Sequence, residues 1–167
     1  MPIANNLKAI QSSLPKEVTL VAVSKTKPNT AILEAYQAGQ RIFGENKVQE
    51  LAKKAEELPK DIVWHMIGHL QTNKVKFIAP FVSLIHGVDS LKLLKEINKR
   101  AEQNNRIIDC LLQVHIATES TKFGFGLDEL ESALNTAKEY QNIKIIGLMG
   151  MATFTDDTQQ VTQEFKS

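Results

Sequence analysis

Residues 62–88, IVWHMIGHLQTNKVKFIAPFVSLIHGV, have the strand and helix pattern from which the fold class follows. The segment begins with the apolar run IVWHMIG (62–68) and ends with a second run, FVSLIHGV (81–88); both have the length of buried strands. Between them, Asn73–Ile78 has the pattern of an amphipathic helix. A strand, a helix and another strand within roughly 30 residues predict a βαβ unit with parallel strands.

The same alternation extends along the chain in both directions. Four further apolar runs are VTLVAVS (18–24), RIFGEN (41–46), IIDCLLQVHI (107–116) and IKIIGLMGMA (143–152). Helical patterns adjoin them at Thr30–Ala38, Lys47–Leu58, Leu91–Gln103 and Asp128–Tyr140. Strands that are apolar almost throughout and alternate with helices predict a parallel sheet covered by helices. Two architectures fit this prediction, an open doubly wound sheet and a (β/α) barrel.

The number of repeats falls short of a closed barrel. Eight units make a barrel of about 250 residues, whereas this chain has six apolar runs and reaches its last residues as a further helical pattern begins at VTQEFKS (161–167). A barrel interpretation therefore leaves the chain roughly a quarter short. Its two outer strands, 18–24 and 143–152, would then be exposed sheet edges, which are prone to pairing or aggregation.

Composition predicts an ordinary globular protein. Of 167 residues, 43% are apolar and 23% are charged, and the formal net charge is +1. This near-neutral balance gives no general attraction to nucleic acid or to a membrane surface. Mixed charges such as those of LAKKAEELPK (51–60) indicate a solvated helix face. We expect a single domain over residues 1–167.

The lone cysteine and the absence of a long apolar segment predict a reduced, cytoplasmic protein. Cys110 lies within an apolar run, so we interpret it as a core residue rather than as a nucleophile. Neither an apolar leader core nor a run long enough to span a bilayer is recognisable in the sequence.

A lysine ends the first apolar run, in LVAVSKTKP (20–28). Most lysines that follow a strand have simply reached the surface. Alternation, however, places Lys25 on the same strand face as Val21 and Val23, which is the face that a barrel turns inward. The functional hypothesis is that burial makes the Lys25 amine nucleophilic toward an aldehyde.

Other polar residues also follow the predicted strands, and each has two interpretations. Asn46 could cap the helix that starts at Lys47, or orient a ring hydroxyl or a phosphate. His65, inside a buried run, is more typical of a hydrogen-bonded core histidine than of a ligand. His69 and His86 have no second ligand at metal-like spacing, so we predict no zinc site.

Five segments together carry a family resemblance, and they occur in the family's order. They are AVSKTKP (22–28), AGQRIFGENKVQE (38–50), WHMIGHLQTNK (64–74), QVHIATESTKFGF (113–125) and GLMGMATFTDD (147–157). The chain thus resembles the pyridoxal-phosphate homeostasis proteins, the YggS/PROSC family. The resemblance implies an α/β fold, a (β/α) TIM-type barrel similar to the N-terminal domain of alanine racemase, here incomplete with about six of eight βα units.

The resemblance also implies a ligand and its binding residues. Lys25 matches the lysine that forms a Schiff base with pyridoxal 5′-phosphate (PLP), and Asn46 and Met149 match positions near that cofactor. We add His65 to this set, with no catalytic residue and no metal. Lys122 corresponds to a secondary lysine contact of PLP.

The implied function is a PLP-binding carrier in vitamin B6 homeostasis, a non-catalytic homologue of the fold-type III enzymes that passes PLP to apoenzymes. One alternative is a PLP-dependent racemase or decarboxylase, for which only Tyr36 and Tyr140 are available as a tyrosine acid or base. The other is a fragment that binds no cofactor.

One part of the family pattern is absent from these 167 residues. The family continues with a Ser/Gly-containing turn and helix start that hold the phosphate, and with an arginine segment near the pyridine nitrogen. Backbone amides at such a helix start are a major source of phosphate affinity. We therefore expect a truncated chain that keeps the aldehyde-capturing lysine and lacks much of the phosphate cradle.

Overall fold

The computed structural model describes residues 2–117 and 123–166, whose strands form one parallel sheet. The strands are β1 (Ala22–Val23), β2 (Ile42–Glu45), β3 (Val63–Met66), β4 (Leu84–Val88), β5 (Ile108–Val114) and β6 (Ile143–Gly150). The α-helices are α1 (Pro2–Ser13), α2 (Asn29–Gln37), α3 (Val48–Glu57), α4 (Val75–Ile78), α5 (Leu91–Gln103), α6 (Leu130–Ala137) and α7 (Thr158–Glu164), and a 3₁₀ helix spans Thr72–Lys74.

The strand order decides between the two architectures that the sequence left open. The order is β1-β2-β3-β4-β5-β6, and neighbouring strands are parallel throughout. A doubly wound sheet reverses its order at a switch point, whereas the strands of a barrel follow one another around it. The order therefore confirms the barrel type. Within the described residues β1 and β6 lie at opposite edges and do not pair, so the barrel is open.

The core lies between the helices and one face of the sheet. Phe43, Trp64 and Leu112 from the strands pack in one cluster with Leu51 and Leu94 from the helices, all at most 3% exposed. Each such side chain contributes about 1.5–3 kcal/mol through its burial. The opposite face of the sheet, which we call the inner face, carries His65 and Gln113 on alternate positions of β3 and β5.

Cys110 belongs to this core, as predicted. Its side chain is fully buried on β5, and burial, with a smaller effect from the nearby Asp109 charge, raises the pKa of the thiol to about 12. A thiol with such a pKa stays protonated at neutral pH and is a poor nucleophile.

Turn and cap residues bound two of the helices, and the structure departs from the predicted elements most at β1 and at α1. Gly39 has φ of 103° directly after α2, and the Ser90 hydroxyl accepts a hydrogen bond from Leu93 N at the start of α5. β1 has only two residues of the predicted 18–24, because it pairs with β2 alone and only at Ala22 and Val23. Helix α1 was not predicted, since Leu7 is its only buried residue.

Among the helices that the structure describes, none is both long enough and apolar enough to cross a membrane.

Candidate functional site

The carboxyl ends of the first three strands bring three of the family motifs together. Ser24 N donates to the carbonyl of Gly44 (3.0 Å), and Ile67 N donates to the carbonyl of Glu45 (2.8 Å). Because the strands are parallel, the residues that follow them lie at one edge of the sheet. Lys25 and Asn46 therefore come from adjacent strand ends.

Lys25 lies in a tight turn that follows β1 directly. The amide of Lys27 donates to the carbonyl of Ser24 (3.0 Å), which closes the turn Ser24–Lys27. Lys25 is exposed, so the hypothesis of activation by burial is wrong. The physical reason is that β1 is an edge strand that stops at Val23, itself 53% exposed, after which the chain turns into solvent. Exposure leaves the amine accessible to a dissolved aldehyde.

A buried ionic network lies directly beneath this turn. The ammonium of Lys54 is 2.8 Å from Glu45 Oε1 and 2.7 Å from Glu50 Oε1, and it donates to the carbonyl of Ser24 at 2.8 Å. The side chains of Glu45 and Lys54 are 0% and 6% exposed. The hydrogen bond from Lys54 is the main cause that holds the pKa of Glu50 below its ordinary value.

Sequence reasoning missed this network, and the interpretation of LAKKAEELPK as a solvated face is wrong for one of its lysines. Lys53 is exposed, but Lys54 is buried. The available signal was helical spacing, since Lys54 follows Leu51 by three residues and precedes Leu58 by four, on the apolar stripe of α3. Both leucines are buried in the core.

Asn46 is half-buried and does not cap the helix that follows it. Helix α3 begins after Lys47, which is its N-cap residue, and no side chain caps it. The capping interpretation of Asn46 is therefore wrong. The neighbouring Gly68 allows the close approach of the strand ends, because a Cβ at Gly68 would lie 2.6 Å from both Asn46 Cβ and Asn46 O. With His69 and other residues, Asn46 lines a small cavity of about 190 Å³.

His65 and His86 form a hydrogen-bonded pair on the inner face. His65 Nδ1 lies 3.0 Å from His86 Nε2, so one ring donates and the other accepts. Burial, and secondly the charge of His86, lowers the pKa of His65 from 6.5 to about 4, and burial also lowers the pKa of His86. Both rings are therefore neutral at pH 7. The structure agrees with the core-histidine interpretation of His65, and a neutral imidazole still offers hydrogen bonds to a ligand.

Met149 lies on β6, the opposite edge strand from β1. It is in register with Gln113 on β5, which places it on the inner face, and it is half-buried. Met149 and Lys25 are thus separated by the full width of the sheet along the hydrogen-bonding direction. Strand pairing brings Lys25 and Asn46 together, but it does not bring Met149 to them.

The segment that includes Phe123 and Phe125 contacts the carboxyl ends of the central strands. Phe125 is buried, and its amide donates to the carbonyl of Gln113 at 2.8 Å. The ring of Phe123 stacks on His69 with centroids 4.0 Å apart. These contacts hold the Phe123–Phe125 segment against β5 and against His69, which follows β3. Lys122 lies outside the described residues.

The chain is similar to known proteins of one family. The family model for the alanine racemase N-terminal domain matches residues 2–167. The pyridoxal phosphate homeostasis protein of Aquifex aeolicus (strain VF5) is 40% identical over 148 residues, covering 88% of this chain and 65% of the relative. The protein of that name from Escherichia coli (strain K12) is 35% identical over 163 residues, covering 89% of this chain and 70% of the relative. The chain thus spans about two thirds of the length of these curated relatives.

The fold is also similar to those of solved structures. PipY of Synechococcus elongatus PCC7942, without PLP, has a TM-score of 0.93 at 38% identity, covering 98% of this chain and 77% of PipY. PipY with PLP bound has a TM-score of 0.88 at 36% identity, with coverage of 98% and 76%. Alanine racemase from E. faecalis matches at a TM-score of 0.75 with 15% identity, covering 98% of this chain and 46% of the racemase, which is a likeness of fold alone.

The class of protein follows first from the fold: this is a TIM-type barrel of the alanine racemase N-terminal type. Within that class, the chain belongs to the pyridoxal phosphate homeostasis proteins, the YggS/PROSC family, as the five sequence motifs predict.

Proposed function

We propose that this protein binds pyridoxal 5′-phosphate as a carrier in vitamin B6 homeostasis, and that Lys25 holds the cofactor as a Schiff base. The observation that carries the proposal is the exposed Lys25 amine, which lies in an ordered turn at the carboxyl edge of the sheet. In addition, PipY with PLP bound matches 98% of this chain.

The chemistry of the available groups fits an aldehyde ligand. The Nζ lone pair of Lys25 attacks the aldehyde carbon, a C=N bond forms, and the carbonyl oxygen leaves as water. Because this condensation is reversible, it suits a protein that releases its ligand. We assign Asn46 to polar contacts with the ring or its substituents, Met149 to apolar contact, and His65 to a neutral hydrogen bond from the inner face.

The positions of the two tyrosines favour a carrier over a racemase or decarboxylase. The hydroxyl of Tyr36 donates to Asp61 (2.8 Å), and this hydrogen bond is the main cause that raises the pKa of Tyr36. Asp61 precedes β3, and Tyr140 precedes β6, so both tyrosines lie toward the amino ends of strands. Lys25 lies at the carboxyl end. A general acid or base must come within hydrogen-bond reach of the reacting proton, and neither tyrosine is placed to do so.

The remaining parts of the proposal concern location and partners. We assign the protein to the cytoplasm, where PLP-dependent apoenzymes are the recipients of the cofactor. Its net charge of +1 gives no reason to expect nucleic acid or a membrane among its partners. The domain proposed to do this work is the single barrel domain of residues 1–167.

The proposal can be tested by visible absorbance during titration with PLP. We expect an imine band in the unmodified protein, its loss in Lys25→Arg, and its retention in the matched control Lys27→Arg, which changes another exposed lysine of the same turn. An equal band in all three proteins would contradict the role of Lys25. Sustained α-deuterium exchange of amino acids in the presence of PLP would instead favour the enzyme.

A further inference from the structure

We propose that Lys54 is a positioning residue for Lys25: its buried ammonium fixes the turn Ser24–Lys27 and thereby the direction in which the Lys25 amine leaves the sheet. This inference rests on the proposed function in one respect, that Lys25 captures an aldehyde. The restraint on the turn itself is measurable without any ligand.

Lys54 has no hydrogen-bonding capacity left for another role. An ammonium has three donors, and Lys54 Nζ has three acceptors, Ser24 O at 2.8 Å, Glu45 Oε1 at 2.8 Å and Glu50 Oε1 at 2.7 Å. Its side chain is only 6% exposed. Charged hydrogen bonds that are removed from water in this way are strong and geometrically specific.

The network holds both chain neighbours of Lys25. The Ser24 hydroxyl donates to Glu45 Oε1 at 2.5 Å, and the Ser24 carbonyl accepts from Lys54. On the other side, the amide of Thr26 donates to Glu50 Oε1 at 2.7 Å. The two carboxylate oxygens that hold the turn are therefore the same two that Lys54 binds. Lys25 itself is exposed and leaves the backbone between two fixed points.

The turn needs such a restraint because its backbone is strained. Thr26 has φ of 62°, in the left-handed region that a β-branched residue rarely adopts. Strained backbone of this kind persists only where the surroundings fix it. The hydrogen bond from Thr26 N to Glu50 is the contact that stabilises this conformation. Without Lys54, the carboxylates of Glu45 and Glu50 would have no cation between them, and the orientation in which Glu50 accepts from Thr26 N would no longer be fixed.

The helix provides a matched control in the adjacent residue. Lys53 is a lysine on the same helix, but its side chain is 74% exposed, and its ion pair with Glu57 is long at 3.9 Å. Lys53→Met and Lys54→Met therefore make the same chemical change at an exposed and at a buried position of one helix. Lys54→Arg keeps the charge, and Glu50→Gln changes the partly exposed end of the network if Lys54→Met does not fold.

The test combines amide hydrogen exchange with the circular dichroism that a bound PLP chromophore acquires in a fixed asymmetric environment. In Glu50→Gln we expect exchange at Thr26 N to accelerate at least about tenfold while that of the core residue Leu51 is unchanged. In Lys54→Met, which also lowers the stability of the whole protein, exchange should accelerate at both amides. We expect imine formation at Lys25 to persist but to weaken by about tenfold or more, with loss of the induced dichroism. Lys54→Arg should restore part of the signal, and Lys53→Met should behave as the unmodified protein.

Two results would separate the failure of this inference from that of the proposed function. Unchanged exchange at Thr26 and unchanged induced dichroism in both network variants would overturn the positioning role. An unmodified protein that forms no imine at Lys25 would overturn the proposed function, and the exchange measurement would then decide whether Lys54 restrains the turn.

Discussion

The two edge strands of the sheet differ in how their surroundings are held. The turn after β1 is tied to the rest of the molecule by charged hydrogen bonds: Glu45 accepts from Ser24 and Lys54 donates to Ser24 in the interior, and Glu50 accepts from Thr26 N at the surface. Around β6, by contrast, large apolar side chains are exposed: Leu148 is 58% exposed and Phe154 is 98% exposed. The segment after β6 is also held by a buried carboxylate, since Thr153 N and Thr153 Oγ1 donate to Glu164 at 2.7 Å. The two edges therefore differ in that an ion-pair network lies beneath the β1 turn, whereas the β6 edge combines a hydrogen-bonded segment with exposed apolar side chains. The β6 edge presents apolar surface instead, the kind that associates with other surfaces.

The largest effect is expected from removal of the charge that supports the β1 turn. Lys54→Met should lower the free energy of unfolding by about 3–5 kcal/mol, because it leaves the buried carboxylate of Glu45 without its cation. Lys53→Met should change it by less than about 0.5 kcal/mol. Urea denaturation of the two variants measures the difference. Equal free energies of unfolding in the two variants would contradict the claim that the buried Lys54 stabilises the fold more than the exposed Lys53.

The stability that the neutral His65 ring contributes on the inner face should be lost in acid. The folded-state pKa of His65, about 4, lies below its ordinary value of 6.5, so the folded protein disfavours the protonated ring. This contribution to stability is fully present above pH 6.5 and is lost as the pH falls toward 4. We expect the melting temperature of His65→Gln to fall less between pH 7 and pH 4.5 than that of the unmodified protein.

The matched comparison for this experiment is His69→Gln, because the His69 side chain is exposed and pairs with Asp89. It should retain the acid sensitivity of the unmodified protein. If the melting temperature of His65→Gln depends on pH as that of the unmodified protein does, the buried histidine pair does not cause the loss of stability in acid.

Relief of the backbone strain at the β1 turn should have a smaller effect. Glycine accepts the φ of 62° at Thr26 without a steric penalty, but it costs more conformational entropy on folding. The two terms oppose each other, so Thr26→Gly should change stability by no more than about 1 kcal/mol. It should nevertheless slow imine formation at Lys25, because the turn becomes free to adopt other conformations. Thermal unfolding and stopped-flow absorbance measure the two quantities, and faster imine formation would contradict the account.

The smallest effect on stability is expected at the opposite edge. Phe154→Ser should alter the free energy of unfolding by less than about 0.5 kcal/mol, because the ring is 98% exposed. The same change should reduce concentration-dependent association, which sedimentation velocity would detect. If association is unchanged, the apolar surface near β6 does not govern it.

The sequence predicts the sheet well because its strands are apolar on the helix-covered face and are separated by amphipathic helices. The outer strands of the sheet were correctly placed at its edges. Helix α1 was missed because it buries only Leu7, and so shows little apolar periodicity. The short length of β1 depends on its pairing with a single neighbour, which no local pattern encodes.

The sequence predicted where two candidate residues lie, but not the contacts that support them. Motifs singled out Lys25 and Asn46, which do lie at adjacent strand ends. The burial of Lys54 beside Glu45 depends on how α3 docks against β2, a tertiary relation that charge composition conceals. The exposure of Lys25 is also a tertiary property, because it follows from the early end of the edge strand β1.

The most direct test of the central claim is to reduce the protein–PLP mixture with borohydride and to map the pyridoxyl mass by digestion and mass spectrometry. The account predicts that at low molar ratios of PLP the label is on the peptide that contains Lys25, and that Lys25→Arg abolishes it. A label spread evenly over the exposed lysines, or an unlabelled Lys25 peptide, would contradict the account.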